Sequence, residues 1–214
     1  MTMLIADGIH RLEAPLGDRY IAMYLIEGDD GCALVDTALD ESIAGTLQPY
    51  LDKIGRSPDD IRWVINTHAD FDHIGGNRAA RELCGSATIV CGHDDRPQVE
   101  DVELMIDERY GEFRAHGFDE SDDAKTFIRS VTKVVPIDGT VEEGERLDLG
   151  GRHLDVISAP GHSDGHVALL DSATGAAVIG DAVLWNSVLT ASGDPAFPPT
   201  YRSVAPYRAT IDRL

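Results

Sequence analysis

The segment NTHADFDHIGGN, residues 66–77, concentrates imidazole and carboxylate groups in one short stretch of chain. His68, Asp70, Asp72 and His73 fall within six residues, and two glycines follow almost at once. A buried-strand pattern, IRWVIN, precedes the segment, and a helical pattern, NRAARELCG, follows it. The cluster is therefore predicted to lie where a strand ends and a helix begins, which is where an open sheet flanked by helices usually has its binding site.

Composition is that of an ordinary globular protein. The chain has 214 residues, of which 43% are hydrophobic and 26% charged, so we expect one domain spanning residues 1–214. No apolar run approaches the about 18 residues that a membrane-spanning helix needs, and the N-terminal MTMLIADGIH lacks the features of an export signal. The three cysteines form no CxxC pair, which favours reduced, buried side chains in a cytoplasmic protein.

The charge balance argues against a nucleic-acid partner. Eighteen Lys and Arg residues stand against 38 Asp and Glu residues, for a formal net charge of −20. Affinity for nucleic acid depends mainly on Lys and Arg neutralising phosphates, which this composition does not favour. We therefore expect a small-molecule substrate, no nucleic acid and no membrane contact; the sequence does not indicate an oligomeric state.

Strand and helix patterns alternate along the chain without repeats, except in one polar, helical stretch at about 94–130. We interpret this stretch as a helical insertion over one edge of the core. It either packs against the core or forms a lid or wall of the substrate site, and both interpretations stay open.

Two later strand ends supply more groups that can bind metal. SAPGHSDGH places His162 just past one strand, and AAVIGDAV places Asp181 just past another. His68 and Asp70 can face one ion and Asp72 and His73 a neighbouring one, with Asp181 as a bridge. The predicted ligands of one or two divalent ions are His68, Asp70, Asp72, His73, His162 and Asp181.

These motifs resemble those of the metallo-beta-lactamase superfamily, whose metal-binding loop usually reads HxHxDH. THADFDH, PGHS and GD occur here in the family's order, after an early LVDT, and the resemblance covers essentially the whole chain. It implies an α/β fold, an αββα sandwich with the site at one edge of two sheets. It also implies a metal-dependent hydrolase in which a hydroxide attacks an ester, lactone or thioester while Asp72 passes a proton to the leaving group.

One departure from the family pattern concerns the metal. Asp70 stands where the family usually has a histidine, and a carboxylate, being a harder ligand, favours iron or manganese over zinc. Two divalent ions bring four positive charges, which Asp70, Asp72, Asp181 and a bridging hydroxide would cancel. A trivalent ion would restore one positive charge. This suggests an alternative, a diiron oxidoreductase similar to the flavodiiron proteins, whose loop reads HxExDH.

A second departure is that the family's closing strand and its last ligand histidine are missing. The last histidine is His166, so we expect a C-terminally incomplete domain. The second ion would then have only Asp72, His73 and Asp181, unless His93 or His116 completes its ligands. A further alternative is therefore a non-catalytic fragment of the fold.

Several neighbouring residues are assigned provisional roles. Asp36, in LVDT, either orients a metal ligand or caps a turn, and His166 is expected to contact a ligand or pack in the core. Asp94 is expected to cap a helix. Tyr201 and Trp185 are candidates for the lining of a substrate pocket.

Overall fold

The computed structural model describes residues 2–214 and contains two stacked sheets with a small hairpin beside them. The large sheet has seven strands in chain order: β1 (Met3–Ala6), β2 (Ile9–Leu16), β3 (Arg19–Gly28), β4 (Gly31–Val35), β5 (Ile61–Asn66), β6 (Thr88–Gly92) and β7 (Gly139–Val141). Strands β1 to β4 pair antiparallel, whereas β4 to β7 pair parallel. The parallel strands therefore end at one edge of the sheet, and their loops meet there.

The second sheet is antiparallel, with the order β11–β10–β9–β8. Its strands, and those of the hairpin, are β8 (Arg146–Asp148), β9 (His153–Ser158), β10 (Val167–Asp171), β11 (Ala177–Val178), β12 (Val188–Leu189) and β13 (Pro195–Phe197). One apolar cluster joins the inner faces of the two sheets, and its members include Ile9, Ile26, Val35, Ile65, Leu154, Val156 and Leu169. Burial of these side chains holds the two layers together.

Helices cover the outer face of the large sheet and one end of the sandwich. They are α1 (Asp40–Ser42), α2 (Gln48–Ile54), α3 (Phe71–Ile74), α4 (Asn77–Leu83), α5 (Arg96–Glu100), α6 (Val102–Met105), α7 (Asp122–Val131) and α8 (Val204–Arg213). The π-helical residues Ile43–Leu47 join α1 to α2. A second apolar cluster fills the space between these helices and the large sheet. The predicted αββα sandwich is confirmed.

The predicted helical insertion at about 94–130 is not a simple pair of helices. It begins in the 3-10 turn His93–Asp95 and continues through α5, α6, a π-helical segment Ile106–Tyr110, a second 3-10 turn Arg114–His116, and α7. The chain leaves regular helix at Asp101, which caps α6 with its side chain, and again at Gly117, whose φ of 84° is left-handed. The insertion is therefore a series of short helical turns, which brings single side chains rather than one continuous face against the core.

Among residues 2–214, no helix is both long and apolar enough to cross a bilayer. The three cysteines are free and buried, as predicted: Cys32, Cys84 and Cys91. Burial raises the pKa of the Cys32 thiol to about 11, so this cysteine stays protonated and chemically inert at neutral pH.

Candidate metal centre

The six predicted ligands come from three separate loops and lie together at one edge of the sandwich. His68 and Asp70 follow β5, whereas Asp72 and His73 lie on the adjoining helix α3. The other two, His162 and Asp181, follow β9 and β11 of the second sheet. Strands of both sheets end at this edge, so residues more than 100 positions apart in the chain lie close together.

His68, Asp70 and His162 form the more deeply buried part of the site, which we term the closed half. His162 Nε2 lies 2.9 Å from Asp70 Oδ2, and His68 Nε2 lies 3.4 Å from the same oxygen. His68 and His162 are 0% and 1% exposed. The Nε2 atom of His68 is buried without a hydrogen-bond partner among residues 2–214. Three donor atoms therefore point at one small volume.

The hydrogen bond on the far side of His162 sets the role of its Nε2 atom. His162 Nδ1 lies 2.7 Å from the carbonyl oxygen of Thr200, which can only accept, so Nδ1 carries a proton. In the neutral ring Nε2 then has a free lone pair, directed toward a carboxylate oxygen of Asp70 only 2.9 Å away. Two lone pairs at this distance repel unless a cation, a proton or a metal ion, lies between them. The pair therefore fits a metal ion.

Asp72 and His73 form the second part of the site, the open half. His73 Nε2 lies 3.7 Å from Asp181 Oδ1, and His162 Nε2 of the closed half lies 3.8 Å from Asp181 Oδ2. Asp181 thus directs one oxygen to each half. His68, His162 and Asp181 each offer one ligand atom, and these atoms lie within 4.8 Å of one another. Asp181 thus lies between the two halves, and its bridging role stays a prediction.

The role predicted for Asp36 as an orienting group agrees with its contacts. Its Oδ2 accepts a hydrogen bond from His73 Nδ1 at 2.8 Å, and its Oδ1 accepts from the backbone N–H of Thr67 at 2.7 Å. Asp36 has φ 62°, a left-handed conformation that costs a non-glycine residue about 1–2 kcal/mol. These contacts hold that conformation, and they leave His73 Nε2 free to face Asp181.

Comparison with known proteins agrees with this geometry. The family model for the metallo-beta-lactamase superfamily matches residues 16–214. The chain belongs to the metallo-beta-lactamase superfamily. Among curated relatives, hydroxyacylglutathione hydrolase of Rhodospirillum rubrum is 26% identical over 175 residues, which are 82% of this chain and 51% of that protein. The chain therefore spans about half the length of the curated relatives it matches.

Solved structures of the metallo-beta-lactamase superfamily share the fold. The subclass B3 metallo-beta-lactamase BJP-1 of Bradyrhizobium japonicum is 25% identical, with a TM-score of 0.65, covering 99% of this chain and 72% of that one. A metallo-beta-lactamase family protein of Thermus thermophilus is 24% identical, with a TM-score of 0.76, covering 99% of this chain and 70% of that one. The predicted membership of the superfamily is confirmed.

Asp70 also contacts an arginine that sequence reasoning missed. Arg109 Nε donates to Asp70 Oδ1 at 2.6 Å, and Arg109 Nη2 donates to Asp70 Oδ2 at 3.0 Å. The side chains are 9% and 12% exposed, so the pair is shielded from solvent. No period or motif in the insertion singles out Arg109, because it lies on an irregular π-helical turn.

Arg109 corrects the charge count predicted from the sequence. The expectation of zero net charge counted the carboxylates of Asp70, Asp72 and Asp181 but no cation beyond the metal ions. The guanidinium of Arg109 adds one positive charge directly on Asp70. With Arg109 included, two divalent ions leave the site with one net positive charge, as they would with a neutral histidine in place of Asp70. The argument for a trivalent ion therefore no longer holds.

In the open half, the pKa values of both titrating groups are raised. Burial raises the pKa of Asp72 to about 6, and the neighbouring Asp70 and Asp181 act in the same direction. Burial disfavours the charged ring of His73, but Asp36 and Asp181 outweigh it and raise the pKa of His73 well above its ordinary value. The metal-free open half therefore tends to retain protons.

The closed half behaves differently. Burial opposes the charged form of Asp70, but Arg109 and the hydrogen bond from His162 hold the pKa of this carboxyl well below its ordinary value. Burial and the nearby charge of His73 lower the pKa of His68 well below its usual range. His68 is therefore neutral at pH 7, the state in which imidazole binds metal.

A second residue missed by sequence reasoning, Asp95, joins the two loops that form the closed half. Its Oδ2 accepts from the backbone N–H of Ala69 at 3.0 Å and from Ser163 Oγ at 2.6 Å, while its Oδ1 accepts from the backbone N–H of Gly165 at 2.7 Å. The neighbour expected to cap a helix, Asp94, is instead exposed and contacts His93. That prediction was wrong because α5 begins at Arg96 with Asp95 at its N-cap position, and Asp94 lies inside the preceding 3-10 turn His93–Asp95.

The remaining histidines lie where they cannot add ligands. The His93 ring is 69% exposed, and His116 lies on an exposed turn. His166 is fully buried, stacks on His68 with 4.8 Å between ring centroids, and accepts at Nε2 a hydrogen bond from the backbone N–H of Asp181 at 3.2 Å. His166 therefore contacts a candidate ligand, as predicted, and supports the position of Asp181.

A cavity of about 1310 Å³ opens over the site. Its wall contains aromatic side chains from the first strands, the insertion and the C-terminal loop: Tyr20, Tyr24, Phe71, Tyr110, Phe113, Phe118, Phe197 and Tyr201. Phe113 and Phe118 belong to the insertion, which favours the predicted role as a substrate wall over simple packing. Tyr201 lines the cavity as predicted. The same prediction for Trp185 was wrong, because this ring is 78% exposed and lies outside the cavity lining.

Proposed function

We propose that this chain is a metal-dependent hydrolase that cleaves an ester, lactone or thioester bond of a small molecule. The observation that carries the proposal is the convergence of His68, His162 and Asp181 beside a large cavity. His68 Nε2 is buried without a hydrogen-bond partner among the described residues, a state that costs a buried polar group about 1–3 kcal/mol. A metal ion satisfies this atom.

The donor set determines which residues would hold metal. His68, Asp70, His162 and Asp181 would bind one ion, and Asp72, His73 and Asp181 would bind a second. When bound, such ions supply Lewis acidity, which polarises a substrate carbonyl and acidifies water. Zinc suits the histidines, whereas the harder Asp70 carboxylate favours manganese or iron more than a histidine would.

Asp72 is the residue we assign to proton transfer. Asp72 lines the cavity. A carboxyl oxygen that is not bound to an ion can take up a proton and deliver it to the leaving group. Asp36 orients His73 beside it, so the two neighbours keep a constant geometry while the proton moves.

The cavity supports a mainly apolar acyl group as the part of the substrate that is recognised. Aromatic side chains from three segments line it, and such rings bind apolar groups and exclude water. The name of the Rhodospirillum rubrum relative, hydroxyacylglutathione hydrolase, is consistent with an acyl substrate. The strongly acidic composition disfavours highly charged phosphate esters.

The test combines metal analysis with a substrate panel. Protein purified without added metal is analysed for metal per chain, then assayed with a thioester, a lactone, an aryl ester and a phosphodiester before and after chelation. We expect ester, lactone or thioester turnover that is lost on chelation and restored by zinc, manganese or iron(II). His162→Ala should lose both metal and turnover, whereas His93→Ala, which changes an exposed histidine, should keep both.

Three outcomes would contradict the proposal. Turnover that persists in fully chelated protein would exclude metal dependence. Phosphodiesterase activity without any ester, lactone or thioester turnover would contradict the substrate class. A coloured protein with two iron ions per chain and oxidase but no hydrolase activity would favour the diiron alternative instead.

A further inference from the structure

Arg109 contacts the closed half at two different atoms. Besides its two hydrogen bonds to Asp70, its Nη2 atom lies 3.0 Å from His162 Nε2. His162 Nδ1 donates its proton to the carbonyl oxygen of Thr200, so Nε2 is the ring nitrogen that faces both Arg109 and Asp70. One guanidinium nitrogen therefore contacts Asp70 Oδ2 and His162 Nε2 together.

These two atoms are also the donors that a metal ion would use. A cation bound between Asp70 Oδ2 and His162 Nε2 must share or take over lone pairs that Arg109 Nη2 now contacts. The second contact of the arginine, from Nε to Asp70 Oδ1 at 2.6 Å, involves the other carboxylate oxygen. Arg109 can therefore keep Asp70 in place through Oδ1 after Oδ2 has turned to a metal ion.

We propose that Arg109 is a positioning residue whose guanidinium neutralises Asp70 in the metal-free protein. The same positive charge weakens the affinity of the site for a metal ion. The proposal rests on the metal site proposed above. It explains how a carboxylate can replace a neutral ligand in a buried site, because Arg109 and Asp70 together carry no net charge.

Two effects of opposite sign follow. Without the guanidinium, Asp70 becomes a buried carboxylate with no cation beside it, so the metal-free protein loses stability. The same substitution removes a competing positive charge next to the ion, so divalent metal binds more tightly. A residue with only a structural role would lower stability without strengthening metal binding.

The experiment measures metal affinity directly, without an activity assay. Chelated wild-type protein and Arg109→Met are titrated with Zn²⁺ and with Mn²⁺ in competition with a chromophoric chelator, and each is melted in the metal-free state. We expect Arg109→Met to bind both ions at least about tenfold more tightly than wild type and to melt at a lower temperature.

The insertion offers a matched control. Arg129 makes a bidentate pair with Glu103 through contacts of 2.6 and 2.7 Å, but this pair is exposed and lies outside the cavity lining. Arg129→Met removes the same charge and the same type of pair, and we expect metal affinity within about twofold of wild type.

Other variants keep the test decisive if Arg109→Met does not fold. Arg109→Gln removes the charge but keeps an amide donor for Asp70, and it should also bind metal about tenfold more tightly. Arg109→Lys keeps the charge and should stay within about threefold of wild type. The double variant Asp70→His with Arg109→Met restores a neutral donor without a counter-charge, and it should bind metal at least as tightly as wild type.

The results separate the two proposals. If the wild-type protein binds neither ion, the proposed function fails. If wild type binds metal but the folded neutral variants bind it with equal or lower affinity, or if Arg109→Lys gains as much as Arg109→Met, the role of Arg109 is wrong while the metal site stands.

Discussion

The carboxyl groups of the closed and open halves have pKa values shifted in opposite directions from their ordinary values. In the closed half, Asp70 is paired with Arg109, and the pKa of its carboxyl is held well below the ordinary value. In the open half, Asp72 has no arginine partner; the nearby charge of His73 does not outweigh burial, which raises the pKa of Asp72 to about 6. Of the two aspartates, which are only two residues apart in the sequence, one is held permanently ionised and the other can exchange a proton. The difference comes from one arginine supplied by the insertion.

Removing the residue shared by both halves should have the largest effect. Asp181 directs one oxygen toward His73 and the other toward His162. Loss of a group that only orients a ligand costs about 10–100-fold, so loss of a shared ligand should cost more, and we expect about a 10³-fold fall in kcat/KM for Asp181→Ala. Metal content and steady-state kinetics check this. A variant that keeps two ions and most activity would show that Asp181 does not join the halves.

Breaking the ion pair from the carboxylate side tests the closed half alone. Asp70→Leu leaves the Arg109 guanidinium buried without a counter-ion, and we expect the free energy of unfolding to fall by about 3–5 kcal/mol. Urea unfolding in the presence of chelator measures the change. The exposed pair of Arg78 and Asp40 is the control, since Asp40→Leu should cost no more than about 1 kcal/mol. Equal losses in both variants would mean that the buried pair has no special role.

Weakening the support of His73 tests the open half alone. Asp36→Asn keeps the shape of the side chain but removes the charge that faces His73 Nδ1. Metal affinity at the open half should fall about 10–100-fold, whereas the closed half keeps its ion. Stepwise metal titration should then show one tight and one weakened site. Simultaneous weakening of both sites would indicate that the halves are not independent.

The smallest expected effect concerns the pH dependence of the metal-free protein. A carboxyl whose pKa is higher in the folded chain than in the unfolded chain binds its proton more tightly when folded. For Asp72, with a pKa of about 6 against an ordinary 3.8, stability is therefore lost as pH rises from about 4 to about 6. Asp72→Asn should remove this loss and stabilise the metal-free protein at pH 7 by about 1–2 kcal/mol.

Urea unfolding at pH 5 and pH 8 with chelator present measures this change of stability with pH. Wild-type protein should be less stable at the higher pH by more than the Asp72→Asn variant is. An identical pH dependence in the two proteins would mean that Asp72 is not the uncompensated carboxyl of the open half.

The sequence predicted the parts of the fold and site that depend on local pattern. Strand β5 and helix α4 follow from their apolar periodicities, and the proximity of the six candidate ligands follows from short motifs at strand ends. Asp95 had a usable signal, because it closely follows β6, a parallel strand whose end must reach the same edge as β5. The cap role predicted for Asp94 failed because a 3-10 turn precedes the helix and moves its N-cap position to Asp95.

Arg109 had no such signal. It is one of several arginines on a polar insertion, and its position depends on how a π-helical turn packs over the cavity. The charge argument from the sequence therefore counted the predicted ligands but lacked the cation that neutralises Asp70. Ion pairs between distant segments are set by three-dimensional proximity, which neither periodicity nor spacing reveals.

Because the proposed ligands lie far apart along the chain, the free metal concentration is expected to affect the melting temperature. From His68 to Asp181 the chain runs 113 positions, 181 minus 68. Bringing such distant points together in an unfolded chain costs about 4 kcal/mol of loop-closure entropy, so the unfolded protein binds an ion far more weakly than the folded one. If the proposed site binds metal, each rise in free metal concentration stabilises the folded state alone, by mass action. The melting temperature would then report the free metal concentration.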